Sequence, residues 1–328
     1  MTGTVHTVLG PVPADQLGVA SVHESLLSVF PGAQYAHDVT IDRAEIFATL
    51  AAKLRDFREA GGGTVVDSTG MFHGRDLTLY EALSRSTGVH IVVSTGQGPE
   101  AMLGGYFLTP QTNPPTPWPA ERFAELFSLE VTEGAVVPRL ERRAPAGLVA
   151  TAATRTGATA TDGSLLRGAA RTAIATGVPV SLRYGADALG ELEVVLAEGL
   201  PADRVVVAGL DRADAVGAAA HLAVAERGAY VGIDSVGLED DERIADADRV
   251  RLVAELVEAG HADRILLSTG AIGVAKGHDA AEAAAAEAIS LSRILTDFVP
   301  LLAAAGIDAD VTRRILTANP SALLAVRS

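Results

Sequence analysis

His23 and Ser25 stand two residues apart in "SVHES", so on an extended strand both side chains point to one face. An imidazole titrates near neutral pH and can take or give a proton there. The pair is not by itself a nucleophilic dyad, because neither an orienting acid nor an oxyanion hole can be read from the sequence. Arg183, in "VPVSLRYG", carries a guanidinium that binds carboxylate or phosphate in a two-point fork. The competing reading pairs it with Asp67 or Asp234 in a buried ion pair that merely holds its surroundings together. Asp234 is also the acid that can assist His23. Arg75 and Asp76 of "HGRD" read as a structural tie between loop and scaffold, and Asp211 and Asp214 as acids at a helix N-terminus.

Eight short apolar, β-branched runs recur along the chain, and the segments between them have helical spacing of apolar residues. The runs are "LGVASVH", "GTVVDS", "VHIVVS", "AGLVATA", "VPVSLR", "RVVVAGL", "AYVGID" and "RILLSTG". Helices are predicted over 43–60, 165–176, 186–198, 213–227 and 247–259, several ending at a glycine suited to a left-handed cap. Strand and helix alternating eight times predict a (β/α)8 TIM barrel, one domain over residues 1–328. A doubly wound open sheet is the rival, weakened because no G-x-G-x-x-G follows the first strand.

Residues 1–16 read as an N-terminal β-hairpin turning at Gly10-Pro11 and plugging the base of the barrel. Residues 96–119 contain "TNPPTPWP" and read as a Pro-rich loop over the barrel mouth, with Trp118 as its anchor or simply packed on a helix. The Ala-rich stretch from Asp279 to Ser290 reads as the eighth outer helix. Residues at strand ends face the mouth in this fold. The candidates there are His23, Arg183 and Asp234 for catalysis, and Ser25, Asp67, Tyr184, Ser235 and Thr269 for binding a substrate.

Composition narrows the partners. A formal net charge of -15 would repel nucleic acid and anionic membranes, which favours a small molecule. With no cysteine, thiolate nucleophiles and thiolate metal sites are excluded. The start "MTGTVHTVLGPVPADQ" has no basic, apolar leader pattern, and a cytoplasmic location is the expectation. A chain poor in lysine and rich in alanine, glycine and arginine suggests a bacterial source.

The order of these segments resembles the phosphotriesterase family of the amidohydrolase superfamily. "TVLGPVPADQLGVASVHES" looks like the family's opening hairpin and first strand, and "GGGTVVDSTGMFHGRDLTLYEALSRSTGVHIVVSTG" like its second and third strands. "IATGVPVSL", "GLPADRVVVAG", "ERGAYVGID", "LVEAGHADRILLS" and "VPLLAAAGIDADVTRRILTANPSALL" follow in the family's order. The resemblance implies two divalent metals held by a His-x-His pair on the first strand, a carbamylated lysine on the fourth, histidines on the fifth and sixth, and an aspartate on the eighth. Such a pair lowers the pKa of a bridging water to make a nucleophile.

At those positions this chain keeps His23 and has Ser25, Ala150, Arg183, Gly209 and Gly270. A permanent cation at 183 opposes dications placed beside it. The expectation is therefore a divergent family member without the binuclear site and without a cofactor, binding a small anionic organic molecule. It would catalyse a metal-independent acid/base step such as elimination, isomerisation or cyclisation. One alternative is a catalytically silent pseudoenzyme that partners a metal-containing paralogue. The other is a hydrolase of esters, lactones or phosphotriesters with a single-metal site rebuilt from His23, Asp67 and His73. The resemblance also implies a homodimer.

Overall fold

The computed structural model describes residues 3–71, 73–103, 118–137 and 141–327. It opens with an antiparallel hairpin of β1 (Thr4–Thr7) and β2 (Gly10–Pro13). The turn is Val8-Leu9, two residues earlier than Gly10-Pro11, because Thr7 pairs with Gly10 and Pro11 lies inside β2 opposite His6. Thr7 closes that turn with its hydroxyl, which donates to Gly10 O at 2.6 Å and receives the Leu9 amide at 3.3 Å.

All eight apolar runs form parallel strands. They are β3 (Val19–Val29), β4 (Gly62–Asp67), β5 (His90–Thr95), β8 (Leu148–Ala152), β9 (Val180–Arg183), β10 (Val205–Ala208), β11 (Tyr230–Ile233) and β12 (Ile265–Leu267). Between β5 and β8 lies a small antiparallel pair, β6 (Val136–Val137) and β7 (Glu141–Arg142). After β12 the chain breaks at Ser268–Ala271 and resumes as β13 (Ile272–Lys276), which pairs in parallel with β3. The eighth strand is thus split: its first half hydrogen-bonds β11 and its second half β3, and the order β12-β11-β10-β9-β8-β5-β4-β3-β13 closes the barrel.

The barrel interior is packed, as this fold requires. Val22, Val66, Val92, Leu148, Val206, Tyr230 and Leu266, from seven different strands, meet Val5 of the hairpin and Leu323 and Leu324 near the C-terminus in one apolar cluster. Polar side chains therefore gather at the other end, where the strands finish.

Helices start where the sequence offers caps. Asp42 accepts the Ala44 and Glu45 amides, Asp76 the Leu79 amide, and Thr159 with Asp162 makes a reciprocal capping box. The helix predicted over 213–227 is two, Ala213–Gly217 and Ala220–Glu226, because Ala219 takes φ +52° between them. The Ala-rich helix runs Ala280–Glu287 with no buried residue. Residues 104–117 of the Pro-rich loop lie outside the described residues; Trp118 packs on Phe123 at 5.5 Å between ring centroids, under the Arg122 guanidinium. Among the described residues no helix is long and apolar enough to cross a membrane.

Candidate functional site

A cavity of about 480 Å³ opens at the C-terminal ends of the strands, and His23, Ser25, His73, Gln97, Arg183 and His278 are among the residues that line it. Arg183 ends β9, held in register between Ala152 of β8 and Ala208 of β10. Its side chain is exposed to the cavity, and no carboxylate of the described residues comes within 4.0 Å of it. The alternative in which Asp67 or Asp234 neutralises it is not formed. Arg243 also lines the cavity, but its Nε donates to Asp240 at 2.8 Å. Of the two arginines that line the cavity, Arg183 is the one with no acid of the described residues in reach.

His23 is half-buried, and its Nδ1 is buried with no hydrogen-bond partner among the described residues. Burial, and then the nearby Arg183 charge, lower its pKa to about 3, so the imidazole is neutral at physiological pH. Ser25 bonds the Thr69 hydroxyl at 2.9 Å across the gap between β3 and the end of β4. On the rim, His278 bonds Ser28 Oγ at 2.8 Å and stands edge-on to Phe30. His73 has its pKa lowered by burial and then by His278.

Five residues expected at the mouth, Asp67, Tyr184, Asp234, Ser235 and Thr269, do not line the cavity. Asp67 is buried and committed to structure: its Oδ2 accepts from Leu26 N at 2.9 Å and Tyr80 OH at 2.8 Å, and its Oδ1 from Thr69 N at 3.2 Å. Tyr184 is buried, with the Arg212 guanidinium 3.7 Å over its ring and its hydroxyl donating to Asp214 at 3.1 Å. Ser235 is buried and gives its amide to Asp211 at 2.9 Å. Thr269 is buried and spent on Glu24.

Asp211 is more than a helix-end acid. It forms a fully buried ion pair with Arg249, Nε to Oδ2 2.7 Å, and also accepts the amides of Asp234 and Ser235. Asp234 lies beneath the mouth, its Oδ2 accepting Gly209 N at 2.6 Å and its Oδ1 buried without a partner. Burial, then the neighbouring Asp211 charge, push its pKa up to about 8, with Arg183 offsetting part of the rise. Asp234 is therefore largely protonated at neutral pH.

Two groups escaped the sequence reading. Glu24 sits between the two residues that drew attention, and it anchors the break in the eighth strand. It accepts Thr269 N, Thr269 Oγ1 and Ala271 N, each at 2.8 Å, and the Ser21 hydroxyl. Gln97 lines the cavity between Gly96 and Gly98, and the two flanking glycines were its available signal.

The residues at the positions reserved for metal ligands do not fit a pair of dications. Ala150, Gly209 and Gly270 offer no side-chain donor, Ser25 is bonded to Thr69, and Arg183 brings a positive charge. Among the described residues no group of three or more His, Asp or Glu is arranged to hold a metal ion. The single-metal set of His23, Asp67 and His73 fails because Asp67 faces Tyr80 and the Leu26 amide.

Known proteins resemble this chain along nearly all of its length. An N-acetyltaurine hydrolase of Salmo salar is 25% identical, covering 98% of this chain and 97% of its own. An aryldialkylphosphatase of Saccharolobus solfataricus is 27% identical, covering 94% and 95%. Among solved structures, a variant organophosphorus hydrolase from Deinococcus radiodurans superposes with a TM-score of 0.87 at 27% identity, over 98% of this chain and 97% of that one. The phosphotriesterase-family profile matches residues 3–324, and the chain belongs to that family.

Proposed function

We propose that this protein is a family member that has given up the binuclear metal centre and uses the barrel mouth to bind a small organic anion. The observation that carries the reading is Arg183, a guanidinium exposed at an open cavity with no carboxylate of the described residues within 4.0 Å. A bound carboxylate or phosphate supplies the missing countercharge in a two-point fork. It also offsets the Arg183 field, the smaller cause after burial of the lowered His23 pKa, which shifts His23 toward a better base next to the ligand. Asp234, holding a proton below the mouth, is the reserve acid. The chemistry within reach is proton transfer on the bound anion, of the kind that elimination, isomerisation or cyclisation requires.

The test is calorimetry and thermal melting with succinate and inorganic phosphate, on the parent and on Arg183→Ala. A ligand at 100 times its Kd stabilises a folded protein by about 2.7 kcal/mol. The expected result is a saturable rise in melting temperature that Arg183→Ala abolishes; no rise in the parent, or an equal rise in the variant, overturns the anion-binding reading. Near-stoichiometric zinc, manganese or cobalt in protein purified without chelator overturns the loss of the metal centre.

A further inference from the structure

The chain carries a formal net charge of -15, yet the wall of the mouth has the opposite sign. Among the described residues, the ionisable side chains that line the cavity are Arg183, Arg243, His23, His73, His278 and Glu24. Glu24, the acid of that set, is 2% exposed and has both oxygens taken: Oε1 by the Ser21 hydroxyl and Thr269 N, Oε2 by Thr269 Oγ1 and Ala271 N. A cleft lined by one sign of charge focuses its field on a ligand of the other sign. Two guanidiniums here face that ligand, and one carboxylate fills the fork of only one of them.

Arg243 belongs to the loop after β11. An antiparallel bridge to Arg212 lays it beside the loop that continues β10, the strand whose Ala208 pairs with Arg183. The two cations thus reach the cavity from neighbouring parts of its rim. Arg243 is held in place without being used up. Asp240 accepts from its Nε at 2.8 Å and from its Nη2, while no described residue accepts from Nη1. A guanidinium has five N–H donors, so the end of the fork formed by Nη1 and the second Nη2 hydrogen is left for a ligand. Asp240 is an anchor for that end: its Oδ1 is itself fixed by Glu242 N at 3.0 Å and Arg243 N at 2.9 Å.

We infer that the mouth takes an organic dianion, a dicarboxylate, with one carboxylate in the fork of Arg183 and the other on the open end of Arg243. This inference rests on the reading of the mouth as an anion site and adds the number of charges the ligand carries. Arg183 holds any carboxylate, and Arg243 distinguishes a diacid from a monoacid.

The experiment compares succinate and glutarate with succinamate and glutaramate, in which an amide of the same shape replaces one carboxylate. Binding is measured by calorimetry at neutral pH on the parent, on Arg183→Ala, and on a double variant carrying Asp240→Asn and Arg243→Gln, with melting curves to show that each is folded. The double variant removes Arg243 without leaving a bare acid at the rim, and since losing an acid favours anions, any loss of affinity in it falls on Arg243. The expected result is that the better-fitting diacid binds the parent about tenfold more tightly than its monoamide, the fold-change of one charge-assisted hydrogen bond at a part-exposed site. In the double variant the ratio should fall to near one with the monoamide's affinity unchanged, and Arg183→Ala should lose all four compounds. Equal binding of each diacid and its monoamide to the parent overturns the dianion while leaving the anion site standing. A preference that survives in the double variant overturns Arg243 as the second contact. Binding of none of the four overturns both readings. The parent's ratios decide the class of ligand even if the double variant does not fold.

Discussion

Replacing Asp234 by Asn should stabilise the protein, and by an amount that grows with pH. Asp234 is fully enclosed, its Oδ1 has no partner, and its pKa stands near 8 in the folded protein, against 3.8 for an ordinary aspartate. Between those values the folded state holds one more proton at this site than the unfolded state does. Stability contributed by the site therefore falls as pH rises, by about 1.4 kcal/mol per pH unit. Asn cannot ionise, yet its carbonyl can keep the bond from Gly209 N. From pH 5 to pH 7 the advantage of Asp234→Asn over the parent should widen by about 3 kcal/mol at most, and by about half that if the site relaxes or admits water. Urea unfolding of both proteins at pH 5, 6 and 7 measures it. An advantage that stays flat or shrinks across that range would show that Asp234 is ionised in the folded state, and would remove it as a proton source.

Three further outcomes are expected. Arg183→Ala should raise the His23 pKa from about 3 while leaving it below 6.5, because burial remains; nitrogen-15 NMR of the imidazole reads this, and an unchanged value would mean that Arg183 exerts no field there. Arg75→Met should destabilise by about 3–5 kcal/mol, since it strands Glu130, which now receives Arg75 Nη1 at 2.8 Å and Nη2 at 2.7 Å in a buried pair. A loss under about 1 kcal/mol in urea unfolding would refute that. Gly96→Ala should cost at least about 3 kcal/mol, from a strained φ and a Cβ overlapping Ala150 O; unaltered melting would contradict it.

The barrel was legible because its signals are local and repeated. Each strand run is apolar enough to be buried on both faces, and many of the helices are announced by a cap or a closing glycine. The split in the eighth strand was not legible, because it depends on Glu24 meeting Thr269 and Ala271 across 245 and 247 residues of chain. Strand ends identified His23, Ser25 and Arg183 as cavity residues, since strand position alone decides that. Asp67, Tyr184, Ser235 and Thr269 share the same strand-end address, but each has a partner from another segment that turns it to structural use. Tyr80, Asp214, Asp211 and Glu24 are those partners, and nothing in the spacing of the sequence names them.

On the proposed reading, the same contacts also oppose rebuilding a metal site by one substitution. Gly270, where the family resemblance places an aspartate, takes φ +61°, and a Cβ there would lie 2.5 Å from Asp234 O. The backbone has closed over the place that side chain would need. Glu24 meanwhile holds Thr269 and Ala271 on either side of it, and Ser25 is bonded to Thr69. Restoring one ligand would meet a collapsed backbone, an occupied serine and a guanidinium of the wrong sign, so no single reversal regains affinity for a dication. The cavity is lined by a neutral imidazole and by a guanidinium with no acid of the described residues within 4.0 Å. On the proposed reading, those are the parts that would recognise an anion and move its protons.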